Sequence, residues 1–146
     1  MRCVFASLKP GAGCEMATIE EAVYARTVGH AGVAVLIGTR CYPLVVPQDA
    51  AMPAIAYQRI SGAPERSHSG FSGVSETRFQ FTCEANSYAS AKAVAQALRR
   101  CWESFKGTVA NIAIGGAFVE NESDGYSEET PAPVVRLDVS MWHDEA

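Results

Sequence analysis

The chain has 146 residues, 48% of them hydrophobic and 19% charged, a balance that suits one folded domain with its own core and excludes a disordered polar chain. A formal net charge of -4 argues against a protein that grips nucleic acid through its phosphates, because that requires clustered Lys and Arg. The longest mostly apolar run, residues 31–37, is far short of the roughly 20 residues of a membrane-spanning helix, so no membrane partner is expected.

Residues 1–15 carry a single Arg2 and no apolar stretch of signal-peptide length, and read as an N-terminal extension to a single α+β domain over 16–146. Met16 stands just before a clean helix start and is a candidate initiator. N-terminal mass spectrometry of native material tests this, an intact Met1 counting against it. Thr18-Ile19-Glu20-Glu21 fits the capping box, and Ile19, Ala22, Val23 and Val28 give the helix that follows an apolar stripe ended by Gly29 and Gly32. For residues 33–37 periodicity does not separate a buried strand from a helical turn.

Residues 39–53 hold Pro43, Pro47 and Pro53 and read as an ordered loop, followed by a strand over 54–61. The Gly- and Ser-rich stretch 62–73 reads as a long hairpin loop. Alternation then predicts a strand over 75–83, with Phe79, Phe81 and Cys83 on its buried face. A cap at Asn86 or Ser87 starts a second helix, on which Ala91, Val94, Ala95, Leu98, Cys101, Trp102 and Phe105 recur at helical spacing before Gly107. Strands over 109–119 and 134–142 complete the pattern, the last burying Val135, Leu137, Val139 and Met141. The expected fold is α+β: an antiparallel sheet of four strands or slightly more, with two main helices on one face and a polar face left over.

Catalytic, cofactor and metal chemistry find little support in the pattern. Cys3, Cys14, Cys41, Cys83 and Cys101 form no C-x-x-C, and their odd number points to free thiols in a reducing compartment. Cys83 and Cys101 fall on apolar faces and read as inert core thiols. His30, His68 and His143 have no metal-ligand spacing and read as surface residues. Gly11-Ala12-Gly13 completes no phosphate-loop motif, and Ser72 lacks the context of a nucleophile elbow. Between the last two strands, Glu120, Glu122, Asp124, Glu128 and Glu129 crowd an acidic hairpin without a calcium-loop pattern; it reads as a solvated tip or a docking loop. What remains is surface suited to subunit contact: a polar sheet face, two long hairpins and a Pro-rich loop.

From Thr18 to Trp142 the sequence resembles the tail terminator, or tail completion, proteins of long-tailed bacteriophages, prophages and gene transfer agents. The landmarks are Ile37-Gly38-Thr39-Arg40-Cys41-Tyr42-Pro43, Val46-Pro47-Gln48, the run from Pro53 to Gly62, Phe79-Gln80-Phe81-Thr82-Cys83, Ser87-Tyr88-Ala89-Ser90-Ala91-Lys92 and Arg136-Leu137-Asp138-Val139-Ser140-Met141-Trp142, in that order. The resemblance implies a homohexameric virion protein that assembles in the host bacterial cytoplasm. It would cap the head-proximal end of the tail tube, stop tube growth, and meet a head-tail connector or stopper, with DNA passing through unbound. It implies no enzyme activity and no cofactor. Contact candidates are Tyr42, Arg59, Phe71, Glu122 and Tyr126. The competing readings are a small enzyme or its accessory subunit with an unrecognised pocket, and a monomeric protein-binding module.

Overall fold

Thr18 begins the first helix, α1 (Ile19–Gly29), by accepting the Glu21 amide on its Oγ1 at 3.2 Å while Glu21 Oε1 accepts the Thr18 amide at 2.9 Å. This is the reciprocal cap read from the sequence, and each half satisfies an orphan donor of the first turn. The computed structural model describes residues 18–67, 70–127 and 132–144; for 62–67, 70–74 and 144 it describes the backbone alone. The N-terminal extension, His68 and the acids Glu128 and Glu129 lie outside the described residues.

The undecided apolar run is a helix, α2 (Ala31–Ile37), which buries Val33 and Ile37 four residues apart on one face. Gly38 ends it at φ +63, where its amide reaches the Ala34 carbonyl at 2.8 Å. Arg40 then ties the chain down, donating from Nε to the Pro53 carbonyl at 2.9 Å and from Nη2 to the Leu36 carbonyl at 3.2 Å. The third helix, α3 (Tyr88–Trp102), is capped by Ser87 and buries the stripe predicted for it, with Phe105 packed against the core just beyond its end.

The strands are β1 (Cys41–Pro43), β2 (Ala54–Ser67), β3 (Gly70–Glu84), β4 (Gly107–Val109), β5 (Ile112–Ser127) and β6 (Ala132–Asp144). They form one sheet in the order β1-β2-β3-β6-β5-β4, antiparallel except for the parallel pair β1 and β2. The expected α+β class holds, while the antiparallel sheet of four strands or slightly more with two main helices becomes, among the described residues, a six-stranded mixed sheet with three helices. Within the Pro-rich loop, residues 41–43 pair with 55–57, a parallel contact that local pattern does not reveal. The strand expected over 109–119 is broken by a two-residue turn at Ala110 and Asn111, both at positive φ (50 and 68), the geometry of a primed hairpin turn.

Neither long hairpin is a loop. Pairing of β2 with β3 runs through the supposed loop 62–73 to Ser67↔Gly70, and β5 continues through the acidic stretch to Ser127↔Ala132. Backbone pairing tolerated the Gly and Ser content because the strands support each other along their length. Past Val74↔Asp144 the β2–β3 pairing runs on without β6, and past Glu84↔Val134, at the opposite end of the sheet, the β5–β6 pairing continues through Tyr126↔Pro133 and Ser127↔Ala132, with the Ala85 amide still on the Pro133 carbonyl at 3.4 Å.

All three helices contribute buried side chains to one core on one face of the sheet, formed around Trp102, Phe79, Phe81, Ile37, Ile55, Leu98 and Leu137. Each such side chain contributes roughly 1.5–3 kcal/mol by leaving water. Trp102 keeps its indole N–H satisfied on Thr27 Oγ1 at 3.3 Å and lies 6.2 Å from the Phe81 ring.

Candidate subunit-contact surfaces

On the face away from the helices, β3 and β6 present Glu76, Arg78, Gln80, Thr82, Arg136 and Asp138, all partly exposed. Much of this polar stripe is paired within the chain: Arg78 with Glu120 at 3.7 Å and with Ser140 Oγ at 3.3 Å, and Gln80 with Asp138 at 3.2 Å. One end is not open. The Pro-rich loop folds back so that Val46 packs on Ala54 and Ala56 with Tyr42, Ala50 and Met52, while Leu44 (67% exposed) and Val45 (63%) stand out to solvent. At the other end Phe118 and Trp142 meet edge to face at 5.8 Å.

The structure separates four of the five predicted contact residues into two places. Tyr42 lies on β1 and Arg59 on β2, where Arg59 pairs with Glu20 of α1 at 3.5 Å. Glu122 and Tyr126 lie on β5. The Phe71 side chain is outside the described residues; its backbone sits in β3 opposite Arg66.

Glu122 is not a free docking charge. It points toward α3 and accepts Lys92 Nζ at 2.6 Å and Arg99 Nη2 at 2.9 Å, while Tyr88 Oη donates to Asp124 at 2.5 Å. Hydrogen bonds from Lys92 and then Arg99 hold the Glu122 carboxyl below its usual range, and the Glu122 bond raises Lys92 in turn. The inner side of the acidic arm is thus clamped to α3. Tyr126, nearer the tip, is 61% exposed.

Tyr42 belongs to a groove of about 440 Å³ whose lining no sequence pattern united. Tyr24 from α1, Tyr42 and Pro43 from β1 and Tyr57 from β2 form it, with Glu20 and Glu21 at its rim. Burial first, then Cys41, Tyr24 and the two glutamates, push the Tyr57 hydroxyl up to about 12, so it stays neutral. The tyrosines are separated by many residues and come from three elements, so only tertiary contact joins them.

Two other expectations resolve against the sequence reading or with it. His143 is 6% exposed rather than a surface residue, its Nε2 lying 2.7 Å from Thr77 Oγ1 on the neighbouring strand. Its place on the inward face of β6 follows the same alternation as Met141 and Val139. The thiols of Cys83 and Cys101 are buried as expected; burial raises both, Cys101 to about 11, and Cys41 is pushed up to about 12 for the same reason. Among the described residues no group of three or more His, Cys, Asp or Glu is placed to hold a metal ion, and no helix is long and apolar enough to cross a membrane.

The family model described as "Tail completion protein gp17" matches residues 21–144, almost all of the domain just described. The chain belongs to this tail completion family. Its fold also matches a chain from a solved structure titled "Virion of native gene transfer agent (GTA) particle", with a TM-score of 0.73 and 19% identity, covering 87% of this chain and 95% of that one. Among curated proteins none matches the sequence. Membership of a tail completion family marks the chain as a structural phage-tail protein.

Proposed function

We propose that this chain assembles head to tail into a ring, a hexamer by the resemblance, that seats on the head-proximal end of a phage or gene-transfer-agent tail tube. The ring stops tube growth and offers its far side to a head-tail connector or stopper. The observation that carries this reading is the tail completion family match over residues 21–144. The likeness to a chain of a gene transfer agent virion agrees in fold.

The geometry suits such a role. A ring built from identical copies needs two different surfaces per copy, and its two rims meet different partners. The β2–β3 and β5–β6 hairpins close at opposite ends of the sheet, which suits one contact at each rim. The net charge of -4 leaves a central passage without the phosphate affinity that would retard DNA. Assembly takes place in the host cytoplasm, where the buried thiols stay reduced. Light scattering after size exclusion, then electron microscopy of the protein mixed with tail tubes, tests the proposal. Rings, free or at one end of each tube, are the expected result; a protein that stays monomeric and leaves tube ends bare and growing overturns it.

A further inference from the structure

The groove beside α1 has an apolar interior. The Tyr42 side chain packs with Val46, Ala54 and Ala56 on the other face of the sheet, which leaves Tyr24, Cys41, Pro43 and Tyr57 as the apolar lining, with Cys41 and Tyr57 buried at its base. Its two acids are already engaged, Glu20 with Arg59 at 3.5 Å and Glu21 with the Thr18 amide at 2.9 Å. A space with such walls and spent charges takes an apolar occupant and offers little to a charged one.

Thr18, the first described residue, stands on the rim of this groove. The sequence before it holds the apolar residues Val4, Phe5 and Leu8, and Phe5 is the one aromatic among residues 1–17. An extended chain covers roughly 3.3–3.6 Å per residue, so the stretch from Leu8 to Thr18 reaches any part of a groove of about 440 Å³. A segment tethered at the rim meets the groove at an effective concentration on the order of millimolar, which any free partner has to outcompete.

We infer that the groove is filled by the chain's own N-terminal segment, with Phe5 and Leu8 seated against Tyr24, Pro43 and Tyr57. Phe5 adds an aromatic ring to two tyrosine rings, a pairing favoured beyond the area it buries. The contact covers the apolar seam between α1 and β1 and takes it out of the surface open to a neighbour. It lies within one chain, so it stands or falls independently of the ring reading.

The test uses the full chain with the photo-cross-linker p-benzoylphenylalanine in place of Phe5, a position outside the described domain, so folding of the domain is not at stake. After irradiation, peptide mass spectrometry should find cross-links to the peptides that hold Tyr24, residues 39–43 or Tyr57, and adding Leu8→Asp to the same chain should abolish them. Irradiating a mixture of isotope-labelled and unlabelled chains identifies the source of the occupant. Cross-links confined to one label support the inference; cross-links joining the two labels put a second copy in the groove and overturn it. Cross-links found only elsewhere, or groove cross-links that survive Leu8→Asp unchanged, overturn it as well. So does native material whose first residue is Met16.

Discussion

Glu122 shows how a residue singled out for docking becomes an internal clamp once its surroundings are known. The Lys92 and then the Arg99 hydrogen bonds hold its folded carboxyl below the usual glutamate range, so its contribution to stability is present above that range and is lost as pH falls through the lower folded value. Hydrogen exchange of residues 116–127 should therefore quicken as pH drops below about 4.5 by more than the intrinsic change, and the Glu122→Gln chain should lack that step. The same substitution should cost on the order of 1 kcal/mol in chemical denaturation at neutral pH, the scale of a partly exposed ion pair. At the other extreme, Trp102 is fully buried, packed beside Phe81 and edge to face with Phe105 and bonded to Thr27, so Trp102→Ala should cost about 3–5 kcal/mol by the same measurement. Cys41, Cys83 and Cys101 should stay unmodified when the native protein meets a thiol reagent, and all three should react once it is unfolded; peptide mass spectrometry reads this directly.

At the scale of elements, the β4–β5 turn holds Ala110 at φ 50 and Asn111 at φ 68. Alanine is a poor occupant of the left-handed region, and the pair Asn-Gly is the favoured one for a primed turn. The A110N/N111G chain should be more stable by roughly 0.5–1 kcal/mol in thermal or chemical unfolding. The turn does not show in the sequence because Ala-Asn is a weak turn pair, and Gly107, three residues before Ala110, draws the boundary instead. The start and buried stripe of helix α3 were legible, since its apolar residues recur at one period over fifteen positions and Ser87 stands where a cap belongs, but it ends at Trp102, short of the Phe105 and Gly107 to which the pattern carried it. Helix α2 was not, since seven apolar residues fit a strand as well as a helix until Val33 and Ile37 find the core.

For the molecule as a whole, the proposed contact at the end of β5 can be tested apart from folding. Tyr126 is exposed near the end of β5, so Tyr126→Ala should leave stability within about 0.5 kcal/mol while lowering the fraction of tube ends that carry a ring in electron micrographs. Unchanged capping would remove that arm tip from the contact. The outer sheet face, which alternation marked as open, is in part covered by its own Pro-rich loop through Val46 and in part neutralised by the Arg78 and Asp138 contacts. Less of that face is therefore open than the alternating pattern suggested.

Alternation along β3 and β6, the period of α3 and the cap at Thr18 depend on neighbours a few residues away, so the α+β class, the helix-covered face and the core residues could be read from the chain by itself. The parallel seat of β1, the burial of His143, the clamp on Glu122 and the tyrosine groove each join residues far apart in sequence. Such contacts leave no local period, because loop closure brings their partners together only when the sheet has formed. Tertiary structure therefore decided which candidate charges are spent inside the fold and which surfaces are left for a neighbour.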